Sequence, residues 1–192
     1  MASTRESILD AAQAIAQAEG YNALSFRELA DREGIKSASV HYHFPTKGDL
    51  ARALMRRYLE AAQATLVGLT TSRSGVSGRL NAYIKGFRQA LERDNRMCLC
   101  GIFGAEYDHL SEEVRSELHA FVEVNVAWLA EVLSELQPKA QHSVHRHQAL
   151  AIYTAIAGAQ LTARTLGDIT VYDKAIDAYA AAGLLPCKSF SL

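Results

Sequence analysis

The chain has 192 residues, with 20 Lys and Arg against 21 Asp and Glu, and 49% of it is hydrophobic. That balance supplies enough apolar side chains for a sizeable core in one or two domains and excludes a disordered chain. No apolar run approaches the roughly 18–20 residues of a membrane span. The first residues lack the apolar stretch and cleavage site of a signal peptide, so a cytoplasmic location without a membrane partner is expected. The three cysteines, Cys98, Cys100 and Cys187, are an odd number. Thiols in a reducing compartment fit that count better than a disulfide framework does.

Prolines occur only at 45, 138 and 186, and the stretches between them are rich in Ala, Leu, Glu, Arg and Gln, all good helix formers. No segment alternates as a strand would, so the fold class is read as all-α. Ser3 and Glu6, Ser25 and Glu28, and Thr46 and Asp49 each place a hydroxyl three residues before a carboxylate. The hydroxyl accepts an orphan backbone N–H at a helix start and the carboxylate reaches back, Asp less well than Glu. Ile8, Ala11, Ala12 and Ile15 mark the buried face of a first helix ended by Gly20. Phe26, Leu29 and Ala30 mark a second, ended near Gly34. A third runs from Ser37 through His43, where Pro45 stops it by lacking an N–H and disfavouring helix at Phe44.

A longer helix follows from Lys47 to about Leu69, with Leu50, Leu54, Leu59, Ala62 and Leu66 on its apolar face. Residues 70–78 are small and polar and read as a loop. Leu80, Ile84, Phe87 and Leu91 carry the next helix, a polar break spans 93–96, and Cys98–Leu110 reads as a short apolar helix. Ser111 can cap the next one, which runs past Val114, Leu118, Phe121, Val122, Asn125, Leu129, Val132 and Leu136 to Pro138. His145–Leu166 forms a helix rich in Ala and Gly, and Tyr172–Ala182 a last one with Gly183 as its cap.

Residues 25–49 carry the informative pattern. Two short amphipathic helices flank a turn at Gly34-Ile35-Lys36, the arrangement of a helix-turn-helix whose second helix enters the major groove. Ile35, Val40 and Phe44 would anchor that second helix on the core. Ser37, Ala38, Ser39, His41 and Tyr42 are left on or near its open face. Short polar side chains there can approach base edges, and Ala can meet a thymine methyl. Lys36, Lys47 and the N–H groups capped by Ser25 and Thr46 are placed for phosphates. Between Arg27 and Arg57 seven cationic side chains face four carboxylates in a chain that is −1 overall. The alternative is a three-helix bundle packed this way with no DNA role.

Thr4-Arg5, Ile8-Leu9, Ala11-Ala12, Gly20-Tyr21, Ser25, Leu29-Ala30, Gly34-Ile35, Val40, His43-Phe44, Lys47 and Leu50 together resemble the TetR family of bacterial transcriptional regulators. The resemblance covers about the first fifty residues. It implies an N-terminal three-helix helix-turn-helix DNA-binding domain over 1–46 and a helical effector-binding and dimerisation domain over 47–192. It also implies a homodimeric repressor, bound to a palindromic double-stranded operator and released by a small-molecule effector. The DNA-contacting residues implied are Ser25, Arg27, Lys36, Ser37, Ala38, Ser39, His41, Tyr42, His43 and Lys47. Two positions depart from the family pattern. Ala38 stands where the family usually has Gly, and His41 where it usually has a phosphate-contacting Tyr, with Tyr42 one residue later. Either of the latter two can take that phosphate.

The effector half is less pointed. Some regulators of this kind carry a Cys-containing stretch like 96–106 and respond to electrophiles or oxidants. Arg96 and the start of the following helix could lower the pKa of Cys98. The other reading of both cysteines is simple packing. Cys-x-Cys is poor zinc spacing, and His142, His145 and His147 read as a solvated face, so no metal and no cofactor are expected. Cys98, Glu106, Tyr107, Trp128, Tyr153, Gln160 and Arg164 are the candidates for lining an effector pocket. Arg164 suits either an anionic effector or a surface ion pair. The Ala-rich face of 151–163 permits close helix approach, within one subunit or across the dimer implied for the last two helices. Two other classes compete. One is a thiol enzyme using Cys98 with His109 or His119, for which no motif assembles base, orienting group and oxyanion donor. The other is a DNA-binding protein without an effector.

Overall fold

The computed structural model describes residues 3–186, so Cys187 lies outside the described residues. Every regular element among them is helical: α1 Thr4–Glu19, α2 Phe26–Glu33, α3 Ser37–His43, α4 Lys47–Thr71, α5 Val76–Glu92, α6 Leu99–Ala105, α7 Glu112–Leu136, α8 His142–Leu166 and α9 Ile169–Ala181, with one 3-10 turn at Tyr107–His109. The all-α reading therefore holds.

The helix starts follow local chemistry. Ser3 and Ser25 accept the N–H groups of Glu6 and Glu28 at 3.4 and 3.5 Å. Thr46 and Asp49 form a reciprocal box: the Asp49 N–H donates to Thr46 Oγ1 at 3.1 Å, and the Thr46 N–H to Asp49 Oδ2 at 3.0 Å. That box fixes the first residue of α4 at Lys47. Gly34 closes α2 in the left-handed region at φ 63°, which lets the Ile35 N–H return to Ala30 O at 3.0 Å.

Several boundaries differ from the sequence reading, α5 starting at Val76 inside the stretch read as a loop and α8 at His142 rather than His145. α4 extends into the polar stretch because the Thr70 and Thr71 hydroxyls bond back to Leu66 O and Val67 O, each at 3.0 Å. α9 begins earlier, at Ile169, because Asp168 accepts the Thr170 N–H at 2.8 Å. The stretch read as one helix over Cys98–Leu110 divides into α6 and the 3-10 turn.

The chain folds as two compact units, one of residues up to 61 with 99–121, the other of 62–98 with 122 onward. In the first, Ile8, Leu9, Ala12, Ile15 and Ala16 form the buried face of α1, and α1 packs on α2, α3 and α6. Full burial of an Ile or Leu side chain stabilises by about 1.5–3 kcal/mol, and of an Ala methyl by less. Arg57 ties α4 to α1 through Asp10 at 2.8 Å and Gln13 at 3.1 Å. In the second, α5 and α9 pack on α8 around Leu80, Ile84, Leu129, Ile152, Ile156 and Ile176. Arg88 of α5 grips Asp173 of α9 with two nitrogens, at 2.7 and 3.0 Å. No helix among the described residues is long and apolar enough to cross a membrane.

Candidate nucleic-acid interface

The exposed surface of α3 follows from what α3 must bury. Val40 and Phe44 are sealed in the core and Ile35 is half-buried. With a helical repeat of 3.6 residues, that leaves Ser37, Ala38, His41 and Tyr42 outward, with Ser39 and His43 at the margin. Tyr42 is 84% exposed. Its ring is open to water rather than committed to the core. His41 is also exposed, but its ring sits edge-on to Phe26 at 4.6 Å. The two rings that could share the phosphate are thus held differently: His41 against the start of α2, and Tyr42 beside His43 at 5.2 Å. Ser25, Arg27 and Lys36 are exposed around this surface.

Lys47 is no free arm. Its ammonium donates to Asn22 O at 2.9 Å and stands 4.6 Å from the centre of the Tyr21 ring. Burial lowers its pKa, and the Glu106 carboxylate opposes that shift.

The seven effector candidates fall in two places. Glu106 and Tyr107 lie in the unit that holds α3. The Glu106 carboxylate accepts the backbone N–H groups of Tyr21 and Asn22, at 2.7 and 3.1 Å. Tyr107 lies against His119, with ring centres 6.0 Å apart, and under the Arg115 guanidinium at 4.6 Å. Cys98, Trp128, Tyr153, Gln160 and Arg164 belong to the other unit. There Gln160, 1% exposed, accepts the Cys98 N–H at 3.0 Å and donates to Phe87 O at 2.6 Å. Phe87 meets Tyr83 and Tyr153 edge-on, and Tyr83 stacks on Trp128 at 5.1 Å. The Trp128 indole N–H donates to Thr70 Oγ1 at 2.8 Å. Arg164 is bound elsewhere: its guanidinium donates to Asn95 O at 2.6 Å, holding a turn where Asp94 and Asn95 have positive φ.

Sequence reading missed three members of this buried network. Tyr83 donates to Asn125 Oδ1 at 2.9 Å, and Tyr172 to Ile84 O at 2.9 Å. Burial pushes both phenols up, with the nearby Cys98 adding to the effect at Tyr83 and Asp173 at Tyr172. The signal for Asn125 was available, since an amide in an otherwise apolar stripe needs a buried partner. His145 corrects the solvated reading of its cluster. It is 3% exposed, and its Nε2 lies 3.1 Å from Gln137 O, so the turn before α8 buries it. No group of three His, Cys, Asp or Glu among the described residues could hold a metal ion.

An exposed, polar second helix on a compact three-helix headpiece, followed by a larger helical body, is the arrangement of a helix-turn-helix DNA-binding domain. Comparison with known proteins agrees. Residues 8–54 match the family described as bacterial regulatory proteins, tetR family. The HTH-type transcriptional repressor KstR of Mycobacterium tuberculosis is 33% identical over 95 residues, 47% of this chain and 41% of that protein. The chain thus spans less than half the length of that curated relative. A TetR transcriptional regulator from Legionella pneumophila has the same fold with TM-score 0.88 and 28% identity over 95% of this chain and 98% of that one. One from Agrobacterium tumefaciens gives 0.82 and 28% over 94% and 95%. Residues 8–54 are thus a TetR-family helix-turn-helix, and the chain shares the fold of TetR-family transcriptional regulators along nearly its whole length.

Proposed function

We propose that the protein is a homodimeric repressor that binds a palindromic operator through α3 and is released by a small-molecule effector. The observation that carries this is the outward face of α3, where Ser37, Ala38, His41 and Tyr42 stand in solvent while Val40 and Phe44 are buried. Ser39 and the start of α3 read base edges. Ser25, Arg27, Lys36, His43 and Lys47 position the headpiece on the backbone. Tyr42, the more exposed of the two rings, takes the phosphate.

In this reading residues 1–46 bind DNA and 47–192 bind effector and dimerise, in the cytoplasm and without enzymatic turnover. The dimer surface is the outward face of α8. Leu150, Ala151, Thr154, Gly158 and Leu161 are all exposed there, with Leu150 and Leu161 about half open to water. An apolar row with small residues between suits a second helix from a two-fold related copy. The effector site is the cluster of Cys98, Trp128, Tyr153 and Gln160. Cys98 and Cys100 are 7% and 6% exposed, which favours reversible binding over thiol modification.

Fluorescence anisotropy on the DNA flanking its own gene, run beside sedimentation, tests the proposal. A dimer that binds this DNA far more tightly than random duplex is expected. A monomer, or equal affinity for both duplexes, would overturn it.

A further inference from the structure

Glu106 lies far along the chain from the helix-turn-helix, yet its carboxylate is built into the first turn of that element. Both its oxygens are used, one on the Tyr21 N–H at 2.7 Å and one on the Asn22 N–H at 3.1 Å. Gly20 makes room for it. That residue has φ 95°, and a Cβ there would stand 2.1 Å from Glu106 Oε1. Edge-on packing of Tyr21 against Phe103 of α6, with ring centres 5.7 Å apart, holds the same turn from the other side. The turn in turn holds Lys47, which donates to Asn22 O and stands over the Tyr21 ring.

We propose that Glu106 is a positioning residue for DNA binding, fixing the Tyr21–Asn22 turn so that Lys47 is held ready for a backbone phosphate. The inference rests on the DNA-binding reading of α3 and adds a residue outside it. Lys47 is fixed at both ends: the Thr46–Asp49 box sets its backbone, and Asn22 O takes one ammonium hydrogen. An ammonium has three donors, so two remain for a phosphate. Lysine also has much rotamer freedom to lose, and a side chain already anchored loses less of it on binding. The Glu106 charge has a second effect of opposite sign, since it repels the phosphate. Its two charge-assisted bonds to the backbone spread that charge, and at physiological salt the remainder is screened beyond about 8 Å. Glu106→Asp separates positioning from repulsion, because it keeps the charge and changes only the reach.

Binding to a random-sequence duplex, titrated with salt, tests this without knowledge of the operator. Glu106→Gln keeps the shape and loses one acceptor. Glu106→Asp keeps the charge and is too short to reach both N–H groups. Both are expected to weaken binding about fivefold at physiological salt, and to flatten the salt dependence by about one released counterion. In a Lys47→Met background neither should have any further effect. Thermal melts establish the fold of each variant, and if Gln melts below the assay temperature, Asp carries the test. Three results would overturn the proposal: tighter binding by Glu106→Gln, unchanged binding by Glu106→Asp, or equal losses with and without Lys47. If the wild type itself bound no duplex, the DNA-binding reading would fall with it. A wild type that binds, beside variants that bind equally well, would remove Glu106 alone.

Discussion

On α3, Ser37, His41 and Tyr42 stand in water. In the second unit Tyr83, Asn125, Gln160 and Tyr172 are sealed away, and each has its hydrogen bond. The two regions use similar side chains for opposite ends. A polar group in water costs the fold nothing, so it can be spent on sequence recognition. A buried one must be matched or it destabilises, so the network fixes how α5, α7, α8 and α9 meet. Any effector entering that network has to replace bonds already made. Substitutions in one region should therefore change stability, and substitutions in the other should change binding alone.

The largest expected effect is Gln160→Leu. It removes the buried amide that accepts from the Cys98 N–H and donates to the Phe87 carbonyl, and should cost about 3 kcal/mol in chemical denaturation. A loss below half that figure would mean the network is not structural. Asp173→Ala strands the largely buried Arg88, whose other carboxylate partner is Glu92. About 2 kcal/mol is expected, read from the same curves.

High pH separates the regions without mutation. In the folded chain, burial raises the Tyr83 and Tyr172 phenols above their ordinary value of 10.0. Raised groups contribute their full stability below the unfolded pKa and lose it as pH climbs toward the folded one. Stability should therefore fall above about pH 10, and Tyr172→Phe should flatten that fall. A flat alkaline limb in the wild type would contradict the burial argument. The smallest effect belongs to Tyr42→Ala, which should leave stability within about 0.5 kcal/mol while weakening DNA binding.

The sequence carried local information well and distant information poorly. Ser25, Gly34 and the Thr46–Asp49 box act within a few residues of themselves, so the helix-turn-helix and its outward face were legible. Glu106 looked like a pocket residue because its partners, the Tyr21 and Asn22 N–H groups, are backbone atoms that leave no trace in side-chain pattern. His145 looked solvated because the carbonyl that satisfies it belongs to the turn before α8. Arg164 suited an anion or a surface ion pair, and a backbone carbonyl at Asn95 holds it. Periodicity reports which face is apolar. It does not report where a buried polar atom finds its match.

The most direct test of the central claim is selection of bound sequences from a random duplex pool. It compares the wild type with a variant carrying Ser37→Ala, Ser39→Ala and Tyr42→Ala. The account predicts that the wild type enriches a two-fold symmetric motif, and that the variant, melting at the same temperature, loses it. The same motif recovered by both proteins would show that α3 is not what reads the DNA.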